Sequence, residues 1–87
     1  MFVLFHLFEY SISIFPNPSN GLFQVSLGNL NNVKMEVYNM LGVLILKSDK
    51  INRSMVDVDL SDYANGAYFV KTYSLEGIIT KKIIINK

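Results

Sequence analysis

The hydrophobic positions of this chain fall in short runs of strand period, divided by turn residues at close spacing. Val33, Met35 and Val37 alternate with Lys34, Glu36 and Tyr38, and Val56, Val58 and Leu60 alternate with Met55, Asp57 and Asp59. An extended chain puts successive side chains on opposite faces, so each of these segments has one dry face and one wet face. Runs of this kind predict strands over about residues 10–15, 22–27, 33–39, 43–47, 55–60, 67–73 and 78–85. Dry faces on short strands need each other, which predicts an all-β, Ig-like antiparallel β-sandwich of about seven strands with a Greek-key connection. Two runs, Val43-Leu44-Ile45-Leu46 and Ile83-Ile84-Ile85, are apolar on both faces. They either lie centrally in a sheet or offer an apolar face to a partner, and the sequence leaves both readings open. The polar stretch from Ser48 to Ser54 reads as the longest and most mobile connection.

The turns between the runs carry most of the information. Pro16 and Pro18 lack amide donors and bias Phe15 and Asn17 toward extended conformations, so the first strand stops pairing there. Asn20-Gly21 tolerates positive φ and lets the next strand start at Leu22. Asn39-Met40-Leu41-Gly42 reads as a type I turn with Gly42 left-handed, closing a hairpin through a G1-type bulge, with Met40 and Leu41 packed over the end of the sandwich. From Leu60 to Tyr68 the residues suggest a helical turn capped by Ser61 and ended by Asn65-Gly66. The spacing of Leu60, Gly66 and Tyr68 is that of a tyrosine corner, in which the Tyr68 hydroxyl bonds upstream backbone and fastens an arch between sheets.

In this order, Pro16-Asn17-Pro18-Ser19-Asn20-Gly21, Tyr38-Asn39-Met40-Leu41-Gly42 and Leu60 through Tyr68, followed by a last strand rich in lysine, resemble one family. It is the C-terminal sorting domain of the type IX (Por) secretion system, a module that ends many exported surface proteins of Gram-negative bacteria. The resemblance implies a sorting domain over residues 13–87, with residues 1–12 as a passenger tail, a linker or an extra strand. It also implies which residues form the sorting signal: Pro16, Asn17, Pro18 and Gly21; Tyr38, Asn39 and Gly42; Leu60, Gly66 and Tyr68; and the basic Lys81, Lys82 and Lys87. The implied pathway has the folded domain follow an N-terminal passenger into the periplasm and dock on the type IX outer-membrane translocon. A sortase-like peptidase then removes it as the passenger reaches the cell surface or extracellular space. Tyr63 departs from the Leu that the family often carries in the last of these turns.

Composition narrows the alternatives. A chain of 87 residues makes a single domain, and the absence of Cys removes disulfides, thiolate metal sites and cysteine nucleophiles. A net charge of +1 gives no long-range field that would gather nucleic acid. The apolar stretch at residues 2–8 is less than half the roughly 20 residues a spanning helix needs, and His6 interrupts it, so stable membrane insertion is not expected. His6 is the one histidine, no Ser-His-Asp set can be built around it, and no glycine-rich phosphate motif occurs. An enzyme is therefore not expected, nor a cofactor. Asp57, Asp59, Ser61 and Asp62 invite a calcium reading, but an EF-hand counted from Asp57 would need Gly at Asp62 and Glu at Tyr68. Lys71, Lys81, Lys82 and Lys87 gather basic charge late in the chain; they either take part in export or guard an exposed edge against sheet-to-sheet pairing. The competing class is an Ig-like adhesion or carbohydrate-binding module at the cell surface, with Tyr10, Tyr38 and Phe69 as an aromatic platform.

Overall fold

A computed structural model describes residues 12–87. The strands are β1 (Ser13–Phe15), β2 (Leu22–Ser26), β3 (Val33–Tyr38), β4 (Leu44–Ile51), β5 (Met55–Asp59), β6 (Gly66–Ser74) and β7 (Gly77–Ile85). They form two antiparallel sheets, one in the order β1-β2-β5 and the other β4-β3-β6-β7. The chain crosses between sheets after β2, β4 and β5, while β3-β4 and β6-β7 are hairpins. The alternation that predicts the strands also fills the space between the sheets. Phe23, Val25, Val56 and Val58 from one sheet meet Met35, Val37, Val70, Ile83 and Ile85 from the other, all buried.

Of the run expected over residues 10–15, the described part is a strand at Ser13–Phe15 with Ile12 buried in the core ahead of it; residues 10 and 11, like His6, lie outside the described residues. The connection expected at Ser48–Ser54 is shorter than its polar residues suggest. β4 continues through Ser48, Asp49 and Lys50 to Ile51, pairing Ser48 with Met35 and Ile51 with Val33, because an edge strand can present polar side chains to water without leaving the ladder. Val43 and Leu44 are accordingly exposed on that edge rather than central.

The arch from β5 to β6 departs from the helical turn in one respect. Tyr63 N–H donates to the Leu60 carbonyl at 3.0 Å, a single β-turn, and Ser61 caps nothing. The Asp59 carboxylate is the organiser: its Oδ1 accepts from Ser61 N at 2.9 Å and from Ser61 Oγ at 2.5 Å, and these two bonds hold its pKa below the usual carboxylate value. The tyrosine corner itself is present. Tyr68 is buried, and its hydroxyl donates to the Ala64 carbonyl at 2.6 Å. Replacing Tyr68 with Phe leaves that carbonyl without its donor and is expected to lower stability by about 1–3 kcal/mol. Chemical denaturation of the two proteins side by side measures the difference, and an unchanged midpoint would mean that the bond contributes nothing to the arch.

Candidate functional site

Strand direction sorts the loops to two poles of a body about 45 Å long and 23 Å across. β2, β4 and β6 start at one pole, while β1, β3, β5 and β7 end there. Pro16–Gly21, Asn39–Val43, Leu60–Asn65 and the residues after Ile85 are thus brought together, although they are scattered along the sequence. The chain enters β1 at the opposite pole, where Ser13 pairs with Ser26.

The proline turn is strapped along the outer edge of β7. Asn17 substitutes its side-chain amide for a strand: Nδ2 donates to the Lys82 carbonyl at 3.0 Å, and Oδ1 accepts from Ile84 N at 3.0 Å. Ser19 continues the strap with its backbone, donating to the Ile84 carbonyl and accepting from Asn86 N, both at 2.8 Å. The prolines fit this role because a segment that pairs through a side chain and one residue's backbone has no use for two further amide hydrogens. Ser19 is buried, and its hydroxyl accepts from Gly21 N at 2.9 Å and donates to the Leu22 carbonyl at 2.8 Å.

Gly21 then meets the β5–β6 arch. Its carbonyl accepts from Leu60 N at 2.7 Å, and a Cβ built on it would stand 2.7 Å from the Ser61 Cα and 3.0 Å from the Ser61 nitrogen. No side chain fits between these two backbones. Leu60 is fully buried beneath the contact, and Gly66 opens β6 opposite Ile85.

Lys87 closes the other side of the arch. Its Nζ donates to the Ser61 carbonyl at 2.8 Å and to the Tyr63 carbonyl, while its backbone N–H donates to Asn65 Oδ1 at 3.0 Å. Of the three lysines that the resemblance assigns to export, Lys87 is engaged in the fold. Lys81 and Lys82 are exposed.

In the hairpin turn, Asn39 Oδ1 accepts from Leu41 N at 2.9 Å and Val43 N at 3.0 Å, and Gly42, at φ +82°, donates to the Asn39 carbonyl at 3.0 Å. Asn39 N also donates to the Val43 carbonyl at 3.0 Å, which with the Gly42 bond closes the expected G1-type turn, while a separate register shift between Val37 and Tyr38 leaves Ile45 extra in β4. Met40 and Leu41 do not pack over the sandwich as expected; they are 66% and 86% exposed. The polar anchor of Asn39 holds the turn without any help from their side chains, which frees them to point outward. With Val43 and Leu44 they form an apolar tip on the pole.

Tyr38 belongs to a cluster on the outer face of the four-stranded sheet. Its hydroxyl donates to Glu36 Oε1 at 2.6 Å, the Tyr73 hydroxyl donates to the same oxygen at 2.8 Å, and Lys34 Nζ lies 3.8 Å from Oε2. These hydroxyls pull the Glu36 pKa below the usual 4.5, and the carboxylate pushes the Tyr38 pKa up to about 12. The lowered Glu36 value means that its contribution to stability is present above about pH 4.5 and is lost as pH falls through the folded value. For Tyr38 the contribution is full below the unfolded value of 10 and is lost as pH rises through about 12. Following tyrosinate absorbance, one ring is expected to ionise near 12 in the native protein, and Glu36→Gln is expected to bring it back toward 10. Ionisation of all rings near 10 in the unaltered protein would remove the cluster.

Among the described residues no three His, Asp, Glu or Cys side chains are placed to hold a metal. Asp57 accepts from Gln24 Nε2 at 2.8 Å and Asp59 is taken by Ser61, so the acidic stretch is used by its own neighbours.

Residues 13–86 match the family described as the secretion system C-terminal sorting domain. The chain belongs to this family. It is the type IX sorting domain, and its fold is that of an Ig-like sandwich. The sorting domain is similar to two curated proteins. One is ulvan lyase NLR42 of Nonlabens ulvanivorans, 28% identical over 87% of this chain and 14% of the lyase. The other is an endo-acting ulvan lyase of Formosa agariphila, 28% identical over 69% of this chain and 12% of the lyase. The chain therefore spans about one-seventh or less of the relatives it matches. Among solved structures, an immunoglobulin-like β-sandwich protein of the DUF3244 family from Bacteroides vulgatus superposes with a TM-score of 0.71, covering 86% of this chain and 84% of that one at 10% identity. That likeness concerns the fold alone. As a type IX sorting signal the domain directs export toward the cell surface or extracellular space.

Sequence reasoning missed the bonding roles of Ser19 and Asn65 at the pole, and it singled out Met40 and Leu41 but read them as packed rather than exposed. Ser19 carries the small-hydroxyl signature of a turn. Two consecutive apolar residues inside a tight turn were the available signal for the tip.

Proposed function

We propose that the pole formed by the proline turn, the hairpin tip and the β5–β6 arch is the surface by which this sorting domain docks on the type IX outer-membrane translocon. The observation that supports this reading is the exposure of Met40 and Leu41 at the pole opposite the chain's entry into β1. A passenger joined ahead of Ser13 leaves that pole uncovered, and folding makes no demand for apolar side chains there. Several of the implied motif residues act one step behind the surface. Asn17, Gly21, Asn39, Leu60 and Tyr68 shape the pole through backbone contacts, while Met40, Leu41, Lys81 and Lys82 present it.

On this reading residues 13–87 are the sorting unit, carried by an N-terminal passenger through the periplasm, and a sortase-like peptidase removes the domain after translocation. Ile12 is buried and Ser13 is paired, so a cut that leaves the sandwich intact falls on the N-terminal side of Ile12. By analogy with the two relatives, a polysaccharide-degrading passenger fits this role.

The test is a periplasmic reporter fused ahead of residue 8 and expressed in a host with the type IX machinery. The unaltered fusion is expected at the surface with the domain absent. Met40→Ser with Leu41→Ser is expected to leave melting unchanged, because both side chains are exposed, and to strand the fusion in the periplasm uncut. A second arm changes Lys81→Ser with Lys82→Ser and keeps Lys87. Normal export of both variants would sink docking by this pole. Surface product that retains the domain would favour an adhesion role instead.

A further inference from the structure

The outer face of the four-stranded sheet combines cations and aromatic rings and shares Met40 and Lys82 with the proposed docking pole. Strand alternation places Lys34, Lys47, Lys71 and Lys82 on this face, with Glu36 and Asp49 as its carboxylates. Glu36 is occupied by the Tyr38 and Tyr73 hydroxyls and paired with Lys34, and four lysines against two carboxylates leave the face positive. The outer face of β1-β2-β5 has the opposite sign, with Asp57 and Asp59 and no lysine.

The rings lie among the cations. Lys34 Nζ sits 4.6 Å and Lys71 Nζ 5.5 Å from the Tyr73 ring centroid. Phe69 stands between Tyr38 on β3 and Lys82 on β7 in the ladder. Tyr38, Phe69, Lys71, Thr80 and Met40 line an open groove of about 410 Å³. Half-exposed rings offer flat apolar surface to the C–H faces of a sugar, and ammonium groups beside them pair with carboxylate or sulfate.

We infer that this groove binds an acidic polysaccharide, a chain of sugars bearing carboxylate or sulfate groups, with Phe69 and Tyr38 as the stacking surface and Lys71 and Lys82 as the anion contacts. A neutral glycan would leave the lysines without partners. A nucleic acid would draw on net charge that the chain as a whole lacks. Charge complementarity favours a polyanion over a second copy of the chain, because the acidic face carries two carboxylates, one already bonded to Gln24 and the other to Ser61.

Although it shares Lys82 and Met40 with the docking proposal, this binding is measured without the secretion machinery, so the two fail separately. The purified 87-residue chain is titrated with dextran sulfate, polygalacturonate and uncharged dextran by calorimetry, with light scattering to follow self-association. Both acidic polymers are expected to bind and dextran is not. Lys71→Ser with Lys82→Ser is expected to weaken binding at least tenfold, and Phe69→Ala at least fivefold, in proteins whose near-UV spectra remain native. A charge-matched control, Lys50→Asn with Arg53→Ser at the far pole, is expected to stay within twofold. Absence of binding would overturn the proposal, as would equal weakening by the far-pole pair or full retention by Phe69→Ala, either of which would show adhesion to net charge alone. Formation of dimers without polysaccharide uptake would assign the face to a second copy.

Discussion

Gly21→Ala is expected to destabilise the domain by about 2–5 kcal/mol, a large share of the roughly 4–13 kcal/mol available to a chain of this size. Two effects add. The backbone at Gly21 has φ +117°, which side chains rarely adopt, and the new methyl would lie 2.7 Å from the Ser61 Cα, an atom that cannot rotate away. Relief requires the proline turn and the β5–β6 arch to separate, which stretches the bond from Leu60 N to the Gly21 carbonyl. Gly42→Ala is the matched comparison. It shares a positive φ, at +82°, but no atom lies within 4 Å of the position, so only the backbone cost of about 1–2 kcal/mol remains. Urea midpoints for the pair separate steric contact from backbone preference, and equal midpoints would remove the claimed close approach.

Leu60→Ala is expected to cost a further 2–5 kcal/mol or so, from lost burial and the cavity left under the arch. Leu60 is fully buried, whereas Leu41 at the same pole is 86% exposed, and Leu41→Ala is expected to change stability by less than about 0.5 kcal/mol. The pair matters for interpreting export. A secretion defect in Leu60→Ala reports an unfolded domain, while one in Leu41→Ala reports a lost contact. Thermal melts of both variants make the distinction, and similar melting temperatures would contradict the assignment of Leu60 to the core.

The strands were legible because a period of two is written directly in residues such as Val33-Lys34-Met35-Glu36-Val37. The hairpin turn and tyrosine corner were legible because Gly42 and Tyr68 sit at spacings that few other structures demand. Other features depended on partners that local sequence does not reveal. Ser48, Asp49 and Lys50 look like loop residues until β3 is placed beside them. Ser61 looks like a helix cap until Asp59 takes its amide and hydroxyl. Lys87 looks like free surface charge, yet its ammonium group finds two carbonyls more than twenty residues upstream. The same distance effect hides the purpose of Asn17, whose amide pairs with residues 65 and 67 positions later. In each case the residue type was informative about its own backbone and silent about its long-range neighbour.

The strap between the proline turn and β7 sets an order of events during synthesis. Asn17 and Ser19 leave the ribosome before their partners at Lys82, Ile84 and Asn86, and Asn17's two partners are made 65 and 67 residues after it. These contacts cannot form until their later partners have been made, whatever local hairpins have already closed. The pole is therefore finished only when translation has passed residue 86, and a chain cut short by premature termination displays an unstrapped proline turn. Sorting that reads the completed pole would discriminate against abortive products with no proofreading step of its own.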